Sequence, residues 1–177
     1  MTFSVWRHPL PREAAGRCIG RTDVAVDRRK AKRLAHRVRQ WARRHRAQRI
    51  VVTSPLRRAA DVGRWLARWG WTHRIDERLS ELDFGSWDGR SWREIGAAPI
   101  EAWCADFLRH APGGAETVAQ LLQRCDAVLR ESPCCLVAHA GWISAALWLA
   151  RHEGEPSAAQ WPGAVAYSSL TVLRGRA

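Results

Sequence analysis

Three short apolar runs in this chain each break off at a polar residue, and helix-patterned sequence separates them. That alternation constrains the fold more than any other feature. The first run, residues 3–7, reads as a strand that ends at His8 and is stopped by Pro9. A loop through Gly16, Gly20 and Asp23 follows, and Asp27 is placed to cap a helix over 28–46. There Ala31, Leu34, Val38, Trp41 and Ala42 recur at three- and four-residue steps, one apolar stripe. Ile50 to Thr53 is a β-branched run, read as a buried strand. Ser54 and Pro55 end it and start a second helix, with Leu56, Ala60, Gly63, Leu66 and Ala67 on the packed side and Gly70 at its close. Residues 71–75 read as a third strand, and 80–114 as irregular, with short helical pieces. The next amphipathic helix covers 116–130, with Glu116 helping to start it and Val118, Leu121, Leu122, Cys125, Val128 and Leu129 on one side. A strand over 135–138 ends at His139, a helix covers 141–149, and 169–173 is a last strand.

Such a pattern predicts an α/β fold, a three-layer α/β/α sandwich around a mostly parallel sheet. Sites in that architecture lie beyond the carboxyl ends of the strands. His8, Ser54 and His139 each directly follow a strand candidate, so the topology brings them to one place. The 177 residues suit a single domain over 1–177, with a lid-like insertion near 80–114. No apolar run is long enough to span a bilayer, and the first residues lack the features of a secretory signal, so the expected location is the cytoplasm. The five cysteines, Cys18, Cys104, Cys125, Cys134 and Cys135, form no CxxC pair, which signals neither a zinc knuckle nor a redox dithiol. The expectation is buried, reduced thiols. The net charge of +12 is almost all arginine, since only Lys30 and Lys32 are lysines. It admits a nucleic acid, a membrane surface or an anionic substrate as partner.

The strand ends carry a distinctive inventory: Arg7-His8, then Ser54-Pro55-Leu56-Arg57-Arg58-Ala59, then His139-Ala140-Gly141, with Glu81 from the loop after the third strand. Guanidiniums match phosphoryl oxygens with bidentate, charge-assisted bonds. A neutral imidazole attacks phosphorus, and a carboxyl group protonates a leaving alkoxide. The positive field of arginine and histidine makes a metal unnecessary. Arg7-His8, Ser54-x-Leu56-x-Arg58-Ala59, Leu79-x-Glu81-x-x-x-Gly85-x-Trp87-x-Gly89 and His139-Ala140-Gly141 together resemble the histidine phosphatase, or phosphoglycerate-mutase-like, superfamily. The resemblance implies that His8 is the nucleophile, that Arg7, Arg58 and His139 bind the phosphoryl oxygens, and that Glu81 is the acid and base. It implies no cofactor and no metal. Arg57 is read as exposed, and Ala140 as part of the substrate-binding loop. Pro9 replaces the family's usual glycine, and the segment from Gly113 to Thr117 has one small residue more than the family's pattern.

Arg7-His8-Pro9, Gly16-x-Cys18-x-Gly20-Arg21-Thr22-Asp23 and Leu82-Asp83-Phe84-Gly85-x-Trp87-x-Gly89-Arg90 look like the bacterial α-ribazole phosphatase subset, in which Pro9 is a subset trait and which removes the 5′-phosphate from α-ribazole 5′-phosphate in cobalamin biosynthesis. The expected function is therefore that one, with a broad-specificity phosphatase or mutase on sugar phosphates as the alternative, and a phospho-ligand or RNA-binding module as the non-enzymatic one. The short insertion favours hydrolysis over transfer back to substrate. Arg21 is expected near the phosphate entrance, and Trp87 or Trp142 against a flat base. A solvated outer helix explains the basic run over 28–49, so the expected partner is a small phosphorylated metabolite, with no nucleic acid and no membrane, and the expected state a monomer or homodimer. His36, His45, His73, His110 and His152 receive no role.

Overall fold

The computed structural model describes residues 2–131, 135–151 and 154–174; Cys134 and His152 lie outside them. Among the described residues five strands form one sheet: β1 (Thr2–Arg7), β2 (Ile50–Thr53), β3 (Thr72–Ile75), β4 (Cys135–Ala138) and β5 (Leu170–Arg174), in the order β3-β2-β4-β1-β5. Every pairing is parallel except β1 with β5, so the sheet is mixed, with its antiparallel member at one edge. Helix α1 (Arg28–Arg44) and helix α2 (Arg57–Ala67) cover one face. Short helices α3 (Trp92–Ile95) and α4 (Ala97–Ala105) lie in the insertion. Helices α5 (Val118–Leu129) and α6 (Ala140–Arg151) cover the other face.

The period-two alternation of strand side chains fills both cores. Phe3, Val5, Leu136 and Ala138 face α5 and α6, whereas Trp6, Cys135 and Val137 face α1 and α2. Central β4 is buried throughout, and edge β3 is mostly exposed. Asp27 caps α1 by accepting from the backbone N–H groups of Arg29 and Lys30. That helix stops two residues short of the expected end, because the chain turns left-handed at Arg46, with φ +51°. Ala67 is exposed rather than packed, since the chain turns away after it towards Gly70, at φ +81°.

Helix α5 is capped by Thr117, not started by Glu116. Thr117 Oγ1 accepts from Gln120 N–H, and the Gln120 side chain accepts from Thr117 N–H. Glu116 is left outside the helix and points back to the insertion.

Candidate active site

The parallel strands β1, β2 and β4 end at the same edge of the sheet, so His8, Ser54 and His139 meet there, all buried. The rings of His8 and His139 are 4.9 Å apart between centroids. His8 Nδ1 lies 2.8 Å from the Pro9 carbonyl oxygen. A carbonyl only accepts, so Nδ1 carries the ring hydrogen and Nε2 keeps its lone pair. The proline in the position usually held by glycine thus leaves a carbonyl where the nucleophile's tautomer is fixed. Burial first, then the charge of Arg58, pushes the proton affinity of His8 down to about 3.

Arg58, in the first turn of α2, is fully buried. Its Nη1 donates to the Thr22 carbonyl at 2.7 Å, its Nη2 to the Gly20 carbonyl, and its Nε to His139 Nδ1 at 3.2 Å. His139 Nδ1 therefore accepts, and Nε2 donates to Ser54 Oγ at 2.7 Å. Burial, and next the charge of Arg58, hold His139 well below its ordinary proton affinity. The loop that receives Arg58 is itself pinned by Asp88. Its carboxylate accepts from the N–H groups of Gly20, Arg21 and Thr22, at 3.0, 2.6 and 2.8 Å, and from Thr22 Oγ1.

Glu81 sits across the site. Its Oε1 accepts from Leu82 N–H at 3.0 Å and its Oε2 from Gly141 N–H at 3.1 Å, in the first turn of α6. Arg124 on α5 holds the chain that presents Glu81. It donates to the carbonyls of Arg78, Ser80 and Glu81 while its Nε meets Glu116 Oε1 at 2.6 Å. Glu116 in turn accepts from Asp83 N–H at 2.9 Å. Arg7 donates to the Val165 carbonyl and stacks on Tyr167, with 3.7 Å between guanidinium carbon and ring centroid.

These groups border a cavity of about 230 Å³. Arg7, His8, Arg58, Glu81 and Ala140 line its polar end. Phe84, Trp92, Trp103, Phe107, Trp161 and Tyr167 line the rest, with Arg17 as one further cation. His139 stands behind Arg58 rather than on the wall. Arg21 is half-buried and off the wall as well, though its charge is felt at His139. Trp87 and Trp142 do not reach the cavity. Trp142 is fully buried, with its indole N–H on the Arg78 carbonyl, and Trp87 packs with Cys18 and Ile95. Their helical and turn positions turn them inward, and aromatic residues of the insertion and of the segment before β5 take the place expected for them. Arg57 is exposed, as read.

Sequence reasoning missed Arg124, Asp88 and Tyr167. Arg124 looks like any arginine on an amphipathic helix. Asp88 had one available signal, its place within the motif that contains Glu81. Tyr167 is the chain's single tyrosine and sits far from every motif. Among the described residues no group of three or more His, Cys, Asp or Glu side chains is placed to hold a metal ion. Among them, too, no helix is long and apolar enough to cross a membrane.

The sequence profile of the histidine phosphatase superfamily (branch 1) matches residues 4–177. A glucosyl-3-phosphoglycerate phosphatase of Mycobacterium tuberculosis is 33% identical over 147 residues, 71% of this chain and 64% of the relative. One from Mycolicibacterium vanbaalenii is 34% identical over 113 residues, 54% of this chain and 50% of the relative. The chain thus aligns with one half to just under two thirds of these curated relatives. The solved structure of a mycobacterial glucosyl-3-phosphoglycerate phosphatase superposes with a TM-score of 0.78 at 26% identity, covering 97% of this chain and 88% of that one. A protein from Thermus thermophilus superposes with a TM-score of 0.73 at 22% identity, covering 97% and 92%, and shows the same fold.

Proposed function

The chain belongs to the histidine phosphatase superfamily, branch 1, and we propose that it is a phosphomonoesterase that hydrolyses small phosphorylated metabolites of the sugar-phosphate class through a phosphohistidine. One observation carries the chemistry: the lone pair of a buried, neutral His8 Nε2 is left unused beside the guanidiniums of Arg7 and Arg58 and opposite the Glu81 carboxyl group.

In the first step His8 Nε2 forms a bond to phosphorus, and the bond from phosphorus to the ester oxygen breaks. Glu81 delivers its proton to the departing alkoxide. Arg7 and Arg58 hold the equatorial oxygens, where charge is spread in the transition state. In the second step a water attacks the phosphohistidine, Glu81 takes the water's proton, and inorganic phosphate leaves a neutral His8. Both ring nitrogens of His139 are engaged, Nδ1 by Arg58 Nε–H and Nε2 by Ser54 Oγ, so His139 supports the Arg58 guanidinium rather than meeting the phosphoryl oxygens itself.

The substrate class rests on the relatives, which are phosphatases of a glucosylated phosphoglycerate. The apolar walls agree with it, since aromatic rings pack on the C–H faces of a sugar. The α-ribazole reading has no support from these relatives, and neither Trp87 nor Trp142, the residues expected against its base, lines the cavity. A screen of purified protein against sugar phosphates, phosphoglycerates and α-ribazole 5′-phosphate tests the assignment. Phosphate release should persist in chelator, stop with vanadate, disappear in His8→Ala and be fastest for a sugar phosphate or a glycosylated phosphoglycerate. Full activity in His8→Ala would remove the mechanism, while preference for α-ribazole 5′-phosphate would replace the substrate class alone.

A further inference from the structure

Charge is very unevenly placed along this chain. Residues 28–68 hold fifteen of its 29 lysines and arginines but only Asp61 of its 17 acids, a net of +14 that leaves −2 for everything else. A general preference for arginine does not produce that split. Nearly all of this charge lies on the solvent side of α1 and α2, and among the fifteen only Arg39 and Arg58 are not exposed.

Helix stability does not explain the pattern. Neither helix has an acid in its first turn, and α1 begins with Arg28, Arg29 and Lys30, where the helix dipole disfavours cations. At its other end α1 leaves through Arg46 in a left-handed conformation that glycine usually fills. Directly there, at the sheet edge opposite His8, lies a cavity of about 480 Å³ lined by Arg39, Arg43, Arg46, Arg49, Trp69 and Trp71. Among the described residues its wall has no carboxylate and none of the four arginines makes an ion pair. Arg39 lies 4.8 Å from the Trp69 ring centroid. Along the helix layer Arg28, Lys32 and Arg68 surround Trp65 at 5.0 to 5.2 Å.

We propose that the α1–α2 face, with this cavity at its end, binds single-stranded nucleic acid independently of the phosphatase site. The occupant follows from the chemistry. A basic track about 25 Å long calls for an extended polyanion rather than a single phosphate. The partly exposed indoles of Trp65 and Trp69, set among the guanidiniums, suit unstacked bases, which a duplex keeps inside, whereas Trp71 is buried and forms the floor. A bilayer would need apolar side chains to insert, and the exposed large hydrophobic residues, Leu10, Ile75, Trp92, Tyr167 and Val172, all lie outside residues 28–68. The expectation of no nucleic-acid partner treated this run as a merely solvated face; the unpaired, indole-lined cavity is what separates the two.

Fluorescence anisotropy with a labelled oligouridine of about 12 nucleotides tests the proposal. Binding should survive saturation of the active site with vanadate. In Arg39→Glu/Arg43→Glu/Arg46→Glu it should fall at least tenfold, and the slope of log affinity against log salt should become shallower by about 2. Hydrolysis of a small ester by that variant should match wild type, which also reports its folding. Arg90→Glu/Arg93→Glu/Arg151→Glu, with the same change in net charge, should bind like wild type. Equal weakening in both triple variants, tighter binding of a duplex or of anionic vesicles, or no binding at low salt would each overturn the proposal. None of these outcomes touches the assignment of the phosphatase site.

Discussion

Gly141 shows how closely a single residue governs the proposed acid. A Cβ built at this position would lie 2.4 Å from Glu81 Oε1, and the Gly141 N–H is also the donor that holds Oε2. The residue is therefore fixed by the approach of a carboxylate, although it sits in a helix, where alanine is better by about 1 kcal/mol. Gly141→Ala should leave the thermal midpoint equal to or above wild type while kcat for an alkyl phosphate falls by about 10-fold or more. An aryl phosphate, whose leaving group needs little protonation, should suffer much less. Steady-state kinetics on the two esters check this, and an equal loss on both would mean that Glu81 has not been displaced. The sequence carries Gly141 within a motif but not the reason for it, because the reason is a contact across 60 residues.

Elements in this chain were readable where periodicity alone decides them. The β-branched run of β2, the apolar stripe of α1 and its Asp27 cap stand where the sequence puts them, since each rests on neighbours within one or two turns. Glu116 and the tryptophans were misread because their partners are remote. An acid just before a helix looks like a dipole partner, yet the Glu116 carboxylate bridges Asp83 N–H of the insertion and Arg124 of α5. That bridge joins the element that presents Glu81 to the helix layer, with side-chain exposures of only 15% and 12% for Arg124 and Glu116. Arg124→Met leaves a shielded carboxylate without its cation and the Ser80 and Glu81 carbonyls without this donor, while the Arg78 carbonyl keeps the Trp142 indole N–H. The expected loss is about 3 kcal/mol of stability in urea unfolding, with a fall in kcat larger than any change in KM. Arg124→Lys should recover little of either, because one ammonium cannot span the carbonyls and the carboxylate together. Full recovery by lysine would reduce the clamp to a simple charge.

At the scale of the whole molecule, the site is bought with pH-dependent stability. His8 and His139 are both buried and both held below the ordinary histidine range, His8 down to about 3, by burial first and Arg58 next. Below about pH 6.5 the unfolded chain protonates these imidazoles and the folded protein does not. The unfolded state then binds more protons, so stability falls as pH falls, and for His8 the loss continues until the pH approaches 3. Each such group contributes a slope of about 1.4 kcal/mol per pH unit in that window. His8→Asn keeps a neutral polar side chain that does not titrate. Between pH 7 and 5 the variant should lose about 2 kcal/mol less than wild type in urea unfolding, and parallel losses would show that His8 protonates in the folded protein. The same burial keeps the nucleophile's lone pair available in mild acid. Between pH 6 and 5, loss of turnover in the free enzyme should therefore not follow a titration of His8, and circular dichroism under assay conditions gives the part of any loss that comes from unfolding.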